Sequence, residues 1–211
     1  MTQVPAPIGP PAPSSDPRWT AFVYGGKPLY QALQGAKGTG VNDSVRWNDM
    51  PLAENPTVGG GLQYEINPHF AARLEGWRTE SEFDHFRERP GGSGYRAFQK
   101  LLNVSPSLQG RYPMGKFTPY AGAGPVMTQT TQWDTTGESP PSFDMGGQAY
   151  VGGEYALTPE IRAMLEMKYH RSKLQPPDPQ GQINGLWNDL ALFGGLGYRF
   201  DPSALMKALR K

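Results

Sequence analysis

The chain has 211 residues, enough for one sizeable domain or two small ones, and its 20 basic and 19 acidic side chains leave a formal net charge of +1. That balance and the lack of a basic stripe argue against a nucleic-acid partner, because phosphate neutralisation needs clustered Lys and Arg. With no cysteine, disulfides, thiolate metal sites, cysteine nucleophiles and an N-terminal lipoprotein cysteine are all excluded. The 27 Gly and 22 Pro approach the level of disordered chains, but a period is present, so the glycines belong to a β architecture. No apolar run approaches the roughly 18 to 20 residues of a membrane helix. A mean hydropathy of −0.57 does not separate a soluble protein from a transmembrane barrel, in which only alternate strand residues meet lipid.

In chain order, the opening "MTQVPAPIGPPAPSSDPRW" has no basic segment followed by an apolar one and is not a signal peptide. Residues 1–17 have the composition of an extended polyproline II arm that cannot pack a core. From Trp19 the pattern alternates: "RWTAFVYGG" reads as a first strand, followed by a long Gly- and Asn-rich segment over about residues 26–55. "TVGGGLQYEI" and "HFAARLEGWRTESEF" flank the turn Asn67-Pro68 as a hairpin. A polar segment with "RERPGGSG" separates them from "FQKLLNVSPSLQGRY", and the turn "PMGK" leads into "FTPYAGAGPVMTQTTQW". "TTGESPPS" is a loop by composition. "MGGQAYVGGEYAL" and "EIRAMLEMKYHRS" form a hairpin around Thr158-Pro159, "QPPDPQGQING" is a loop, and "NDLALFGGLGYRF" is the last strand. Eight strands over 18–200 result, with short turns alternating with longer loops. The tail over 201–211, "DPSALMKALRK", reads as a short amphipathic helix with Asp201 as N-cap and Pro202 in the first turn.

The two hairpins are related to each other. At an offset of 91, Gly61, Tyr64, Pro68, Ala72, Leu74, Glu75 and Ser81 match Gly152, Tyr155, Pro159, Ala163, Leu165, Glu166 and Ser172. Successive strand side chains point to opposite faces. Ile161, Ala163, Leu165, Met167 and Tyr169 therefore share one face, and Arg162, Met164, Glu166, Lys168 and His170 share the other. Phe70, Ala72 and Leu74 oppose Ala71, Arg73, Glu75 and Trp77; in the last strand Leu190, Leu192, Leu196, Tyr198 and Phe200 oppose Asp189, Ala191, Phe193 and Arg199.

A soluble, lipocalin-like ligand-binding barrel would turn the apolar face inward. Three features favour the reverse, with lipid outside. The polar face carries charges of both signs on different strands (Arg73, Glu75, Glu154, Arg162, Glu166, Lys168, Asp189, Arg199), as a paired network in a narrow lumen requires. Trp19, Tyr64, Tyr112, Tyr120, Trp133, Tyr155, Tyr169, Tyr198 and Phe200 sit near strand ends, where interfacial girdles belong. Short turns on one side against long loops on the other is the asymmetry of outer-membrane barrels. Gly59, Gly61, Gly122, Gly124, Gly152, Gly195 and Gly197 would relieve crowding in a lumen that side chains fill, which also argues against an open pore. Pro106 and Pro125 are expected at bulges or strand ends, because a closed barrel has no free edge.

"FTPYAGAGP", "GGEYALTPEIRAMLEMKYHRS" and the terminal "LALFGGLGYRF" resemble the small eight-stranded outer-membrane β-barrel family that includes opacity-type proteins and the OmpA transmembrane domain. The resemblance covers roughly residues 18–200 and implies an all-β, antiparallel, up-and-down transmembrane barrel in the bacterial outer membrane, surrounded by lipid and lipopolysaccharide. Such a destination needs a signal peptide, taken as removed before residue 1. Barrels of this family end at a terminal aromatic, here Phe200, whereas this chain continues. The arm and the tail are expected on the short-turn, periplasmic side, where they would engage a protein partner in a larger complex or remain as solvated appendages.

His170, Ser172 and Asp189 raise a second possibility, a membrane esterase resembling the lipid A deacylase barrels, since an imidazole fixed by a carboxylate can deprotonate a serine. That family's Asn after the serine is Lys173 here, and the aligned repeat places Thr79 and Ser81 at the positions of His170 and Ser172. The preferred reading assigns no catalytic residue, cofactor or metal. His69 and His85 are isolated, Asp84 and His85 lack metal-ligand spacing, and the glycines at 59–61 and 122–124 lack the helix of a dinucleotide site. Trp47, Trp77, Trp133 and Trp187 read as interface anchors or space-fillers.

Overall fold

The computed structural model describes residues 19–37, 46–47, 55–85, 95–134, 137–138, 141–174 and 184–202. The proline arm over 1–17 lies outside these residues, as does the helix over 201–211 apart from Asp201 and Pro202. Eight long strands form the wall: β1 (Trp19–Lys37), β3 (Thr57–Asn67), β4 (Phe70–His85), β5 (Tyr95–Arg111), β6 (Phe117–Asp134), β8 (Ser142–Ala156), β9 (Ile161–Leu174) and β10 (Asn184–Phe200). Two-residue strands, β2 (Arg46–Trp47) and β7 (Gly137–Glu138), pair with the upper ends of β1 and β6. Each long strand pairs antiparallel with its neighbours in sequence, and β10 returns to β1, from Trp19 opposite Phe200 onward. Closure removes every sheet edge, which lets a strand structure stand in hydrocarbon.

The strands of 11 to 19 residues reach or exceed the roughly 9 to 11 that span a bilayer at a tilt. At one end the connections are short, and local side chains build them. Asn67 Oδ1 accepts from the amides of His69 (2.8 Å) and Phe70 (2.9 Å), and Thr158 Oγ1 accepts from Ile161 N (2.9 Å). Gly115 takes φ +65° in the turn between β5 and β6. At the other end the connections run from Lys37 to Thr57, His85 to Tyr95, Asp134 to Ser142 and Leu174 to Asn184.

Orientation follows from the accessible faces. Leu74 (54%), Leu165 (59%) and Leu192 (42%) are exposed, while Glu75 and Glu166 are 1% exposed. A soluble ligand-binding barrel requires the reverse, so that alternative is ruled out. Near the short turns the outer wall carries Trp19, Tyr64, Phe70, Tyr112, Phe117, Tyr155, Tyr198 and Phe200, with Trp19 and Tyr64 in ring contact at 5.0 Å. These form the girdle of an interface.

Three sequence expectations need correction. The first strand does not end at Gly26, because β1 continues to Lys37, with a register shift between Pro28 and Tyr30 that absorbs the proline. Tyr120 belongs to the lumen and not to the girdle, since it shares a face with Thr118 and is buried. Pro106 and Pro125 stand mid-strand in β5 and β6, both exposed, within a gap in the ladder between Val104↔Met127 and Leu108↔Ala123. Neither ring has an N–H to give, and Ser105 Oγ instead donates to Pro125 O at 2.6 Å.

Replacing Leu165 with Arg should destabilise the barrel folded into phosphatidylcholine vesicles by about 2–4 kcal/mol, as for a cation at mid-membrane on a barrel's lipid face. A urea titration of vesicle-inserted protein measures it; an unchanged midpoint would contradict the outward assignment.

Candidate functional site

Among the described residues the lumen is where ionisable groups gather away from water, and alternation puts them there. Midway along it, Arg73 of β4 donates to Glu166 Oε2 of β9 (2.5 Å) and to Glu75 Oε2 (2.7 Å). Lys168 of β9 donates to Glu75 Oε2 at 2.8 Å and stands 3.3 Å from Glu166 Oε1. The two cations and two carboxylates sum to zero charge. Tyr24 and Tyr120 hydroxyls donate to Glu75 and Glu166 at 3.0 Å, and Gln148 Nε2 reaches Glu75 Oε1 at 2.7 Å. Aromatic faces wall in the cations. The Arg73 guanidinium lies 4.3 Å from the Phe22 ring centre, and Lys168 Nζ lies 4.6 Å from Trp77 and 4.8 Å from Tyr24. Because β4 and β9 are four strands apart in a ring of eight, Glu75 and Glu166, the repeat-related carboxylates, face each other across the barrel.

Small residues make this filling possible. Tyr120 stands opposite Gly152 and Tyr150 opposite Gly122 on the β6–β8 ladder, each ring lying over its partner's glycine. A Cβ on Gly152 would come within 2.8 Å of the Tyr120 ring and 2.5 Å of Leu165 O. Tyr150 reaches Ser107 Oγ at 3.0 Å.

Toward the short turns a second chain of ions follows. Arg111 binds Glu65 (2.7 Å) and Glu154 (2.8 Å), Arg162 binds Glu154 (3.2 Å), and Arg199 binds Glu65. Between the two networks lies a cavity of about 10 Å³, bordered by Thr20, Gln63, Glu154 and Arg162, with room for a single water. Arg111 and Glu65 were absent from the charges read off the sequence. Parity along β5 marks Arg111, which follows Ser105, Ser107 and Gln109 on one face.

Toward the long connections lie His170, Ser172 and Asp189, all buried and luminal. The register puts His170 directly opposite Asp189, and Ser172 opposite Trp187. Ser172 Oγ and His170 Nε2 have no hydrogen-bond partner, so the pair is not joined as a base and nucleophile. His170 meets Trp77 edge-on at 5.6 Å. Trp77 and Trp187 fill the lumen, while the side chains of Trp47, Trp133, Asp84 and His85 lie outside the described residues. The glycines at 59–61 and 122–124 lie inside β3 and β6, and His69 sits in the β3–β4 turn with Nδ1 3.3 Å from Arg111 O.

Residues 29–202 match the family model described as the outer membrane protein beta-barrel domain. The chain belongs to that family and is an outer-membrane β-barrel protein. Among solved structures it is similar to OprG from Pseudomonas aeruginosa, at 15% identity over 86% of this chain and 95% of that one (TM-score 0.53). It is similar to AlkL, solved in lipid bilayers, at 18% identity over 95% and 97% (TM-score 0.53). Neisserial surface protein A matches at 14% identity over 87% and 97% (TM-score 0.51). At these identities the likeness is one of fold. No curated protein sequence matches.

Substituting Lys168 with Met leaves Glu75 and Glu166 short of one cation and should cost about 3–5 kcal/mol, the range for breaking a buried pair. Adding Glu75→Gln to that variant should recover part of the loss. A double-mutant cycle by urea titration checks this, and strict additivity would show that the pair is not coupled.

Proposed function

We propose that the protein is a non-enzymatic scaffold of the outer membrane, a subunit of a larger membrane-associated assembly. In this reading the barrel is a rigid, lipid-surrounded anchor. The long connections are presented outward, and the arm over 1–17 and the tail over 201–211 engage a protein partner on the periplasmic side. The observation that carries it is the filled lumen. Arg73, Glu75, Glu166 and Lys168 span the barrel from β4 to β9, and Phe22, Tyr24, Trp77, Tyr120 and Tyr150 pack around them. A barrel so filled is suited to holding a position and presenting loops, and poorly suited to passing solutes.

The esterase alternative finds less support. A serine acting on acyl chains has to face them, and Ser172 lies on the luminal face of β9 beside Trp187.

In planar bilayers the full chain should show no steady porin-like conductance, and Ser172→Ala should leave the acyl-ester content of the surrounding lipopolysaccharide unchanged. On native gels of gently solubilised membranes, removing residues 1–17 should release the barrel from a slower-migrating species. Large ohmic conductance, or deacylation lost with Ser172, would overturn the scaffold reading.

A further inference from the structure

The lipid-facing wall is not symmetric between its two rims. Read upward from the short turns, the outward residues of β9 are Ile161, Ala163, Leu165, Met167 and Tyr169, and then Arg171 and Lys173. β4 reads Phe70, Ala72, Leu74 and Gly76, then Arg78 and Glu80; β5 reads Tyr112, Gly110, Leu108, Pro106, Val104 and Leu102, then Lys100; β1 reads Trp19, Ala21, Val23 and Gly25, then Lys27. Four strands thus begin at the lower rim with an aromatic or aliphatic residue, cross an uncharged belt, and then reach a cation, which on β4 is followed by Glu80. The lower rim has no outward charge on any described strand.

Arg171 and Lys173 are the densest part of this upper rim. Both are exposed and two residues apart on one strand, so they point the same way about 7 Å from each other. Neither takes part in an ion pair among the described residues, whereas Arg78 is bound to Glu80. Opposite Arg171 stands Gly147, where an added Cβ would meet only Gly124 O, at 3.8 Å, leaving a shallow notch on the strand beside Arg171. Met145 (72%) and Phe143 (68%), on the same side of the neighbouring β8, are among the most exposed apolar side chains of the molecule. Below the cations, Tyr169 donates to Asn188 Oδ1 at 2.8 Å.

We propose that Arg171 and Lys173, with Met145, Phe143 and the notch at Gly147, form a docking site for the phosphorylated headgroup of an outer-leaflet lipid. The guanidinium and ammonium take the phosphate, and an acyl chain lies along Met145 and Phe143. A single phosphate fits between two cations at this spacing, and a planar guanidinium can hold two of its oxygens. Long-loop ends of such barrels face outward. There the outer leaflet is built of phosphorylated glycolipid, so the charge of the rim matches the layer it meets. The inference rests on the membrane orientation and deepens the lipid-contact part of the proposed function. It does not depend on the scaffold role or on the arm and tail.

The test uses the full chain in nanodiscs of phosphatidylcholine doped with bis-phosphorylated lipid A or with the same lipid stripped of both phosphates. Retained lipid is measured by native mass spectrometry for the unaltered protein, for Arg171→Gln/Lys173→Gln, and for Lys116→Gln in a turn at the other end. The double variant should lose affinity for phosphorylated lipid A by about tenfold or more, with no change for the stripped lipid and none for Lys116→Gln. Millimolar inorganic phosphate should not displace the lipid. Heat-modifiable gel mobility reports whether each variant is folded, and both substitutions are at exposed positions. Equal retention of the two lipids, retention unaffected by the double variant, or full displacement by free phosphate would each overturn the proposal.

Discussion

Everything in this barrel depends on placing ionised side chains in a narrow interior without water to solvate them. A two-residue period sends half of each strand's side chains inward, and the outward half has to be apolar to meet hydrocarbon. The charges that remain are therefore concentrated in the lumen, where each is tolerated only with a partner. Arg73, Glu75, Glu166 and Lys168 meet that condition as a neutral cluster, and Arg111, Arg162, Arg199, Glu65 and Glu154 meet it as a linked chain nearer the periplasm. The two groups tie together β3, β4, β5, β8, β9 and β10, so the filling also braces the wall across the barrel.

Aromatic rings complete the filling. Tyr24, Tyr120 and Tyr150 are long enough to carry a hydroxyl to the centre while their rings lie over glycines of the neighbouring strands. The same rings shield the cations, so the cluster is desolvated while its carboxylates stay paired. Near the long connections the filling changes character. There the His170 Nε2 and Ser172 Oγ atoms stand buried without a hydrogen-bond partner among the described residues, unlike the carboxylates of the central cluster.

Much of this was legible in the sequence, for reasons that can be stated residue by residue. The clean apolar faces of β4, β9 and β10 fixed their inward faces, and with them the luminal positions of Arg73, Glu75, Glu166 and Lys168. The internal repeat paired Glu75 with Glu166, which the closed topology sets opposite each other. What escaped depended on relations between strands. Tyr120 looked like a girdle residue because it lies near a strand end, and only its parity with Thr118 reveals that it turns inward. The upper half of β1 was hidden by Gly25, Gly26 and Pro28, and the register shift there breaks the alternation on which recognition relies. Arg111 and Glu65 find partners on strands brought together by the shear of the barrel, which no local pattern encodes. Pro106 and Pro125 were expected at bulges or strand ends, whereas β5 and β6 tolerate them mid-strand by leaving the ladder open between them.

The chain lacks cysteine, so single cysteines placed one at a time over 163–168 can each carry a nitroxide without background. Power-saturation spectroscopy of the protein in bilayers then reports collisions with oxygen, which concentrates in hydrocarbon. Labels at 163, 165 and 167 should collide freely and labels at 164, 166 and 168 should be shielded, alternating with a period of two. A reversed alternation, or none, would contradict an interior held together by paired charges and an exterior wetted by acyl chains.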